Sequence, residues 1–138
     1  MSFRLTSNIG QVRAQLAKRA SALVQGIAAS IEGDIKAQFR EPKSGRIYYR
    51  GGKKGKKKTR RRHQASAPGE APAIDYGILH ARTRWQAETR FRAIVGTSAD
   101  YAEILEFGGA RMKARPFFGP AFERHRTIFE AGMKSLIS

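Results

Sequence analysis

The chain has no cysteine. Disulfides and thiolate metal centres are therefore excluded, and the absence fits a reducing compartment without fixing one. Nor is there an apolar run near the length of about 20 residues that spans a bilayer as a helix. The segment Met1–Gly10 lacks the apolar stretch of a signal peptide. A protein made and kept soluble in a cytoplasm, with no membrane partner, is the expectation. Acidic residues are scarce as well: 11 against 27 Lys and Arg, for a formal net charge of +16. Residues 43–62 contain no acid at all and hold eleven of the basic side chains: Lys43, Arg46, Arg50, Lys53, Lys54, Lys56, Lys57, Lys58, Arg60, Arg61 and Arg62. Such a run repels itself and resists collapse onto a core. It suits a polyanion, whether nucleic acid, an acidic protein surface or anionic lipid.

Signals of catalysis are missing too. His63, His80 and His125 are far apart and lack ligand spacing such as His-x-x-x-His. No Ser/His/Asp set, no phosphate-cradling glycine loop and no paired carboxylates stand out. No catalytic residues, no metal and no cofactor are expected, and the chain does not read as an enzyme.

At 138 residues the chain has the size of one ordinary domain, and 1–138 reads as a single unit. Val12, Leu16, Ala20, Leu23, Val24, Ile27, Ile31, Ile35 and Phe39 recur in steps of three and four, which predicts a long amphipathic helix over 9–39. Asn8, with Gln11 three residues on, is the predicted N-cap, and Pro42 the predicted stop. The aromatic stretch 46–50 reads as a strand. Residues 51–74 read as one long basic loop, of a length usually functional or disordered. A short helical turn is predicted over 76–81. Alternation then predicts strands over 82–89 and 90–95. A short helix over 101–107 is predicted to stop at Gly108-Gly109. Residues 112–117 read as extended, and a last helix begins near Pro120. This order predicts an α+β fold: a small, mostly antiparallel sheet packed by a long N-terminal and a C-terminal helix.

Four motifs occur in order. The first is Ser66-Ala67-Pro68-Gly69-Glu70-Ala71-Pro72-Ala73, followed by Asp75-Tyr76-Gly77-Ile78-Leu79. The third is the strand end Val95-Gly96-Thr97. The fourth is Tyr101-Ala102-Glu103-Ile104-Leu105-Glu106-Phe107-Gly108-Gly109 with Met112-Lys113-Ala114-Arg115-Pro116-Phe117. Together they resemble the signature of the tail-component or tail-completion proteins of long-tailed bacteriophages, encoded between the head–tail connector genes and the major tail protein gene. The resemblance covers roughly 40–137. Tyr76 stands where the family pattern has Thr, and the Lys53–Lys58 run is heavier than the family's. The resemblance implies a structural virion protein of the neck or upper tail, a tail-completion or tail-terminator subunit that joins tail to head. It implies a homo-oligomeric ring, hexameric by expectation, with neighbouring neck and tail proteins as partners and no catalytic residues. Localisation would be the host cytoplasm during assembly and then the virion.

On this reading Lys53, Lys54, Lys56, Lys57, Lys58, Arg60, Arg61 and Arg62 contact packaged DNA in the channel or an acidic neighbouring protein. A Lys-rich loop of this kind binds backbone charge without reading bases. Tyr48, Tyr49 and Trp85 could stack on bases, although packing against a core or neighbour is the better reading. Tyr101, Glu106, Phe107, Arg115, Pro116 and Phe117 form a patch with two readings: packing within the domain with Glu106 and Arg115 paired, or a subunit–subunit contact. The rival function is a free-standing basic nucleic-acid-binding protein.

Overall fold

The apolar stripe of the N-terminal region forms a 32-residue helix, α1 (Ile9–Arg40). The structure, a computed structural model, describes residues 2–50 and 61–138. After α1 come β1 (Ile47–Arg50), β2 (Arg61–Gln64), α2 (Ile78–Arg82), β3 (Thr83–Thr89), β4 (Arg92–Thr97), α3 (Ala102–Phe107) and α4 (Phe118–Ile137). The class is α+β. All strand pairing is antiparallel and is divided between two two-stranded ladders, β1–β2 and β3–β4.

The start of α1 departs from expectation. Asn8 makes no side-chain cap, because its backbone (φ −102°, ψ 17°) is not the extended conformation that aims a cap at the first turn. The Ile9 N–H donates to Ser7 Oγ at 3.4 Å instead. At the other end Glu41 N–H donates to Gln38 O, and Pro42 follows as predicted.

Helix α4 runs antiparallel to α1. Arg124 on α4 pairs with Asp34 at 2.9 Å, while further along α4 Gly132 lies against the side chain of Leu23. The β3–β4 hairpin packs on α1 through alternate residues. Thr83 is fully buried and Trp85 half-buried, while Arg84 and Gln86 face out. Glu32 on α1 ties the hairpin down, accepting the Trp85 N–H at 2.6 Å and pairing with Lys36. Burial pushes the Glu32 carboxyl up, but the Lys36 and Trp85 bonds, with the charges of Lys36 and Arg84, leave it lowered overall.

The core lies at one end of α1. Ile31, Ile35 and Phe39 meet Leu79, Ala99, Ala102, Phe117 and Ala121. The Phe117 ring is fully buried, 5.2 Å from Phe39 and 4.7 Å from Phe118.

Two stretches differ from the sequence reading. Within 51–74, taken as one loop, Arg61–Gln64 is a strand paired with β1. Arg-Arg-His-Gln has little strand propensity of its own, so the partner strand imposes the conformation. Residues 112–117 form no strand; a Gly109–Met112 bridge and an Arg115 N–H bond to Leu105 O (2.6 Å) hold them against α3.

Candidate functional site

The β1–β2 ladder is a basic ribbon. Its register pairs Ile47 with Gln64, Tyr48 with His63, Tyr49 with Arg62 and Arg50 with Arg61. Side chains alternate across a strand, so Tyr48, Arg50, Arg61 and His63 share one face. Asp75 anchors that face. Its carboxylate pairs with Arg50, lies 3.8 Å from the Arg61 guanidinium and 3.7 Å from His63 Nδ1, and its carbonyl accepts from Arg61. The Tyr76 ring receives the same two arginines, Arg50 at 5.9 Å and Arg61 at 5.6 Å from its centroid. Tyr76 thus has a local role as an aromatic platform for two guanidinium groups. Arg62 and Tyr49 lie on the opposite, exposed face, and Arg62 makes no ion pair among the described residues. Of the eight predicted polyanion contacts, Arg61 and Arg62 are in β2, while Lys53, Lys54, Lys56, Lys57, Lys58 and Arg60 lie outside the described residues.

The root of the ribbon is stapled by Glu70, which the sequence reading did not single out. Its carboxylate accepts from the Ser44 hydroxyl, the Ser44 N–H at 3.1 Å and the Ala67 N–H at 2.8 Å. These bonds, the Ser44 hydroxyl foremost, hold its pKa down at about 2. The signal was present in Ala67-Pro68-Gly69-Glu70. Pro at the second and Gly at the third position mark a type II turn, which forms with Gly69 at φ 85° and Glu70 N–H on Ala67 O. Beside the ribbon lies an open concavity of about 650 Å³, bordered by Tyr48, Arg50, His63, Tyr76, Tyr101 and Arg115 among others.

The predicted interface patch separates into different roles. Phe117 is fully buried in the core, so it is not a surface contact. Glu106 does not pair with Arg115. Its carboxylate accepts from the N–H groups of Phe117 (2.8 Å), Phe118 (3.0 Å) and Gly119 (2.8 Å), capping the positive end of α4. Arg115 instead donates through Nε to Ser66 O at 3.2 Å, and Pro116 is half-buried. Tyr101 and Phe107 remain exposed, Phe107 at 77%. Two motifs distant in sequence therefore meet. Gly69 N–H bonds Ala114 O at 3.0 Å next to the Arg115–Ser66 bond, stitching 66–73 to the segment after α3.

Trp85 is half-buried against α1 rather than presented for stacking, whereas Tyr48 and Tyr49 are exposed. The histidines sit on three elements, and among the described residues no cluster of His, Asp and Glu could hold a metal ion. His80 is pushed down by burial and by the charges of Arg40 and Lys36. Among the described residues no helix is long and apolar enough to cross a membrane.

Among the described residues twenty large apolar side chains are exposed, against ten buried apolar residues. The chain exposes 10492 Å², where a compact monomer of 15.4 kDa exposes about 7,200 Å². The eleven residues outside the description can supply about 1,700 Å² at most. A surplus of about 1,600 Å² of total accessible area remains, part of it from residues 2–8 before α1, against the roughly 800 Å² that one chain contributes to a standard protein–protein interface. Comparison with protein-family models, with curated proteins and with solved structures gave no match.

Proposed function

We propose that this chain is a self-assembling structural subunit of the neck or upper tail of a long-tailed bacteriophage, acting in tail completion or as a tail terminator. The observation that carries the reading is the exposed apolar surface just described: the protein has a small core and many large apolar side chains outside it. The four motifs behind the resemblance support it. In this fold they supply turns, a helix cap and a seam (Glu70, Glu106, Gly69 with Ala114), which are the parts of a scaffold. The basic ribbon adds a polyanion contact. A ring multiplies it, since each copy contributes one ribbon, toward DNA in the channel or an acidic neighbouring ring.

Electron microscopy of the purified protein, alone and mixed with tail tubes, tests the proposal. The expected result is rings with a central channel that cap the tubes. A single-chain mass by light scattering at every concentration, with no density added to tubes, would overturn it.

The second reading, a free-standing nucleic-acid-binding protein, is favoured by one observation: a two-stranded ribbon of this kind fits a major groove. It predicts tight duplex binding by the lone chain. Affinity would then fall about 10³-fold or more between 50 and 200 mM salt, and removal of residues 53–60 would abolish it.

A further inference from the structure

We infer that copies of this chain join head to tail, the N-terminal end of α1 from one copy lying in the groove between β4, α3 and α4 of the next. The inference rests on the assembly reading and names the surfaces that assembly uses.

The donor surface is Phe3, Leu5, Ile9, Val12 and Leu16. These side chains are between 38% and 101% exposed, although from Ile9 onward they belong to the apolar series that is buried further along α1. Leu23 lies against Gly132, and α4 ends five residues later at Ile137, so the first turns of α1 run out past their partner helix.

The acceptor surface is continuous. A groove of about 430 Å³ runs between Ile27, Phe91, Val95, Phe122 and Phe129. It shares Val95 and Phe122 with a second hollow of about 590 Å³ that reaches Phe107 on α3.

The helical part of the donor cannot meet the acceptor of its own copy. Ile9 and Val24 are on one helix, and fifteen residues of helix hold them about 22 Å apart. The occupant must come from another molecule. Charge selects the same pairing. Residues 2–19 carry Arg4, Arg13, Lys18 and Arg19 and no acid. Around the acceptor, Arg92 is paired with Glu88 and Arg126 with Glu130, whereas Asp100 and Glu103 make no ion pair among the described residues. The surplus of about 1,600 Å² matches what a ring subunit hides at its two neighbours, about 800 Å² at each. A donor and an acceptor on different faces make a heterologous contact, which closes into a ring when the rotation permits.

Complementation between two variants tests this. Val12→Asp spoils the donor and Phe107→Asp the acceptor, and both sites are exposed in the single chain. Light scattering should give a multimer for the wild type and a single-chain mass for each variant alone, with circular dichroism melts near the single-chain value. A 1:1 mixture should give twice the single-chain mass and nothing larger, because one intact donor meets one intact acceptor. Recovery of that dimer also proves both variants folded. A multimeric wild type whose mass neither substitution changes overturns the inference and leaves the assembly reading standing. So does a mixture that stays at single-chain mass, since a self-complementary contact offers no rescue. A wild type of single-chain mass overturns both.

Discussion

The two halves of α1 carry one continuous apolar stripe and meet opposite fates. Ile31, Ile35 and Phe39 are buried at 5%, 0% and 3% exposure. Val12, earlier on the same helix, is 53% exposed. Apolar residues recur in steps of three and four in both halves; what differs is whether another element arrives to cover them. Around the last turns of α1 the chain returns repeatedly, through 66–73, α2, α3 and the start of α4. Around the first turns none of the described elements returns to bury them. The buried half stabilises the fold of each chain, and the exposed half leaves its apolar area open.

The largest break in this comparison is Phe117→Ala, which empties the centre of the buried half. A loss of about 3–5 kcal/mol is expected in urea unfolding, whereas Val12→Ala should leave the single chain within about 0.5 kcal/mol. Gly45→Ala comes next. Its Cβ would lie 2.5 Å from Ala65 O and 2.6 Å from Ser66 O, both backbone atoms. The ribbon must then separate from its root, at about 1–3 kcal/mol, seen as a lowered melting temperature and altered exchange of the Gly45 and Ala65 amides. Glu106→Ala removes the acceptor of three N–H groups at the start of α4 and should cost about 1–2 kcal/mol. Glu106→Gln, which keeps an acceptor oxygen, should recover part of that loss.

The smallest effect is a pH dependence confined to the buried end. His80 titrates near 6.5 in the unfolded chain and lower in the fold, where burial, Arg40 and Lys36 disfavour its charged form. The stability it confers by staying neutral is complete above about 6.5 and drains as pH falls through the folded value. The melting temperature should drop on going from pH 7.5 to 5.5, and His80→Phe should flatten the drop. A second acid loss belongs to Glu70. Its contribution is full above its ordinary value of 4.5 and gone below about 2, so Glu70→Gln should flatten the curve only in that lower window.

Helices, the β3–β4 hairpin and the glycine stop after α3 were legible because local patterns encode them: three-and-four spacing, alternation, and Gly108-Gly109. The β2 strand was not, since Arg61–Gln64 pairs only because Ile47–Arg50 is brought alongside and Asp75 sits beneath Arg50 and Arg61. The partner of Glu106 was equally hidden. A carboxylate and an arginine nine residues apart read as a pair, yet the helix end that Glu106 caps offers three N–H donors at once.

Composition alone determined that this protein carries no thiol chemistry and a cationic segment too charged to enter a core. Periodicity alone determined that its N-terminal region is a long one-sided helix. Only the tertiary structure decided which half of that helix is core and which is surface. It also decided that Phe117 is interior, and that Tyr76 and Asp75 hold the basic ribbon to the body. The reason is physical: a stripe or a charge is a property of neighbours along the chain, whereas burial depends on which distant segments fold back to cover it.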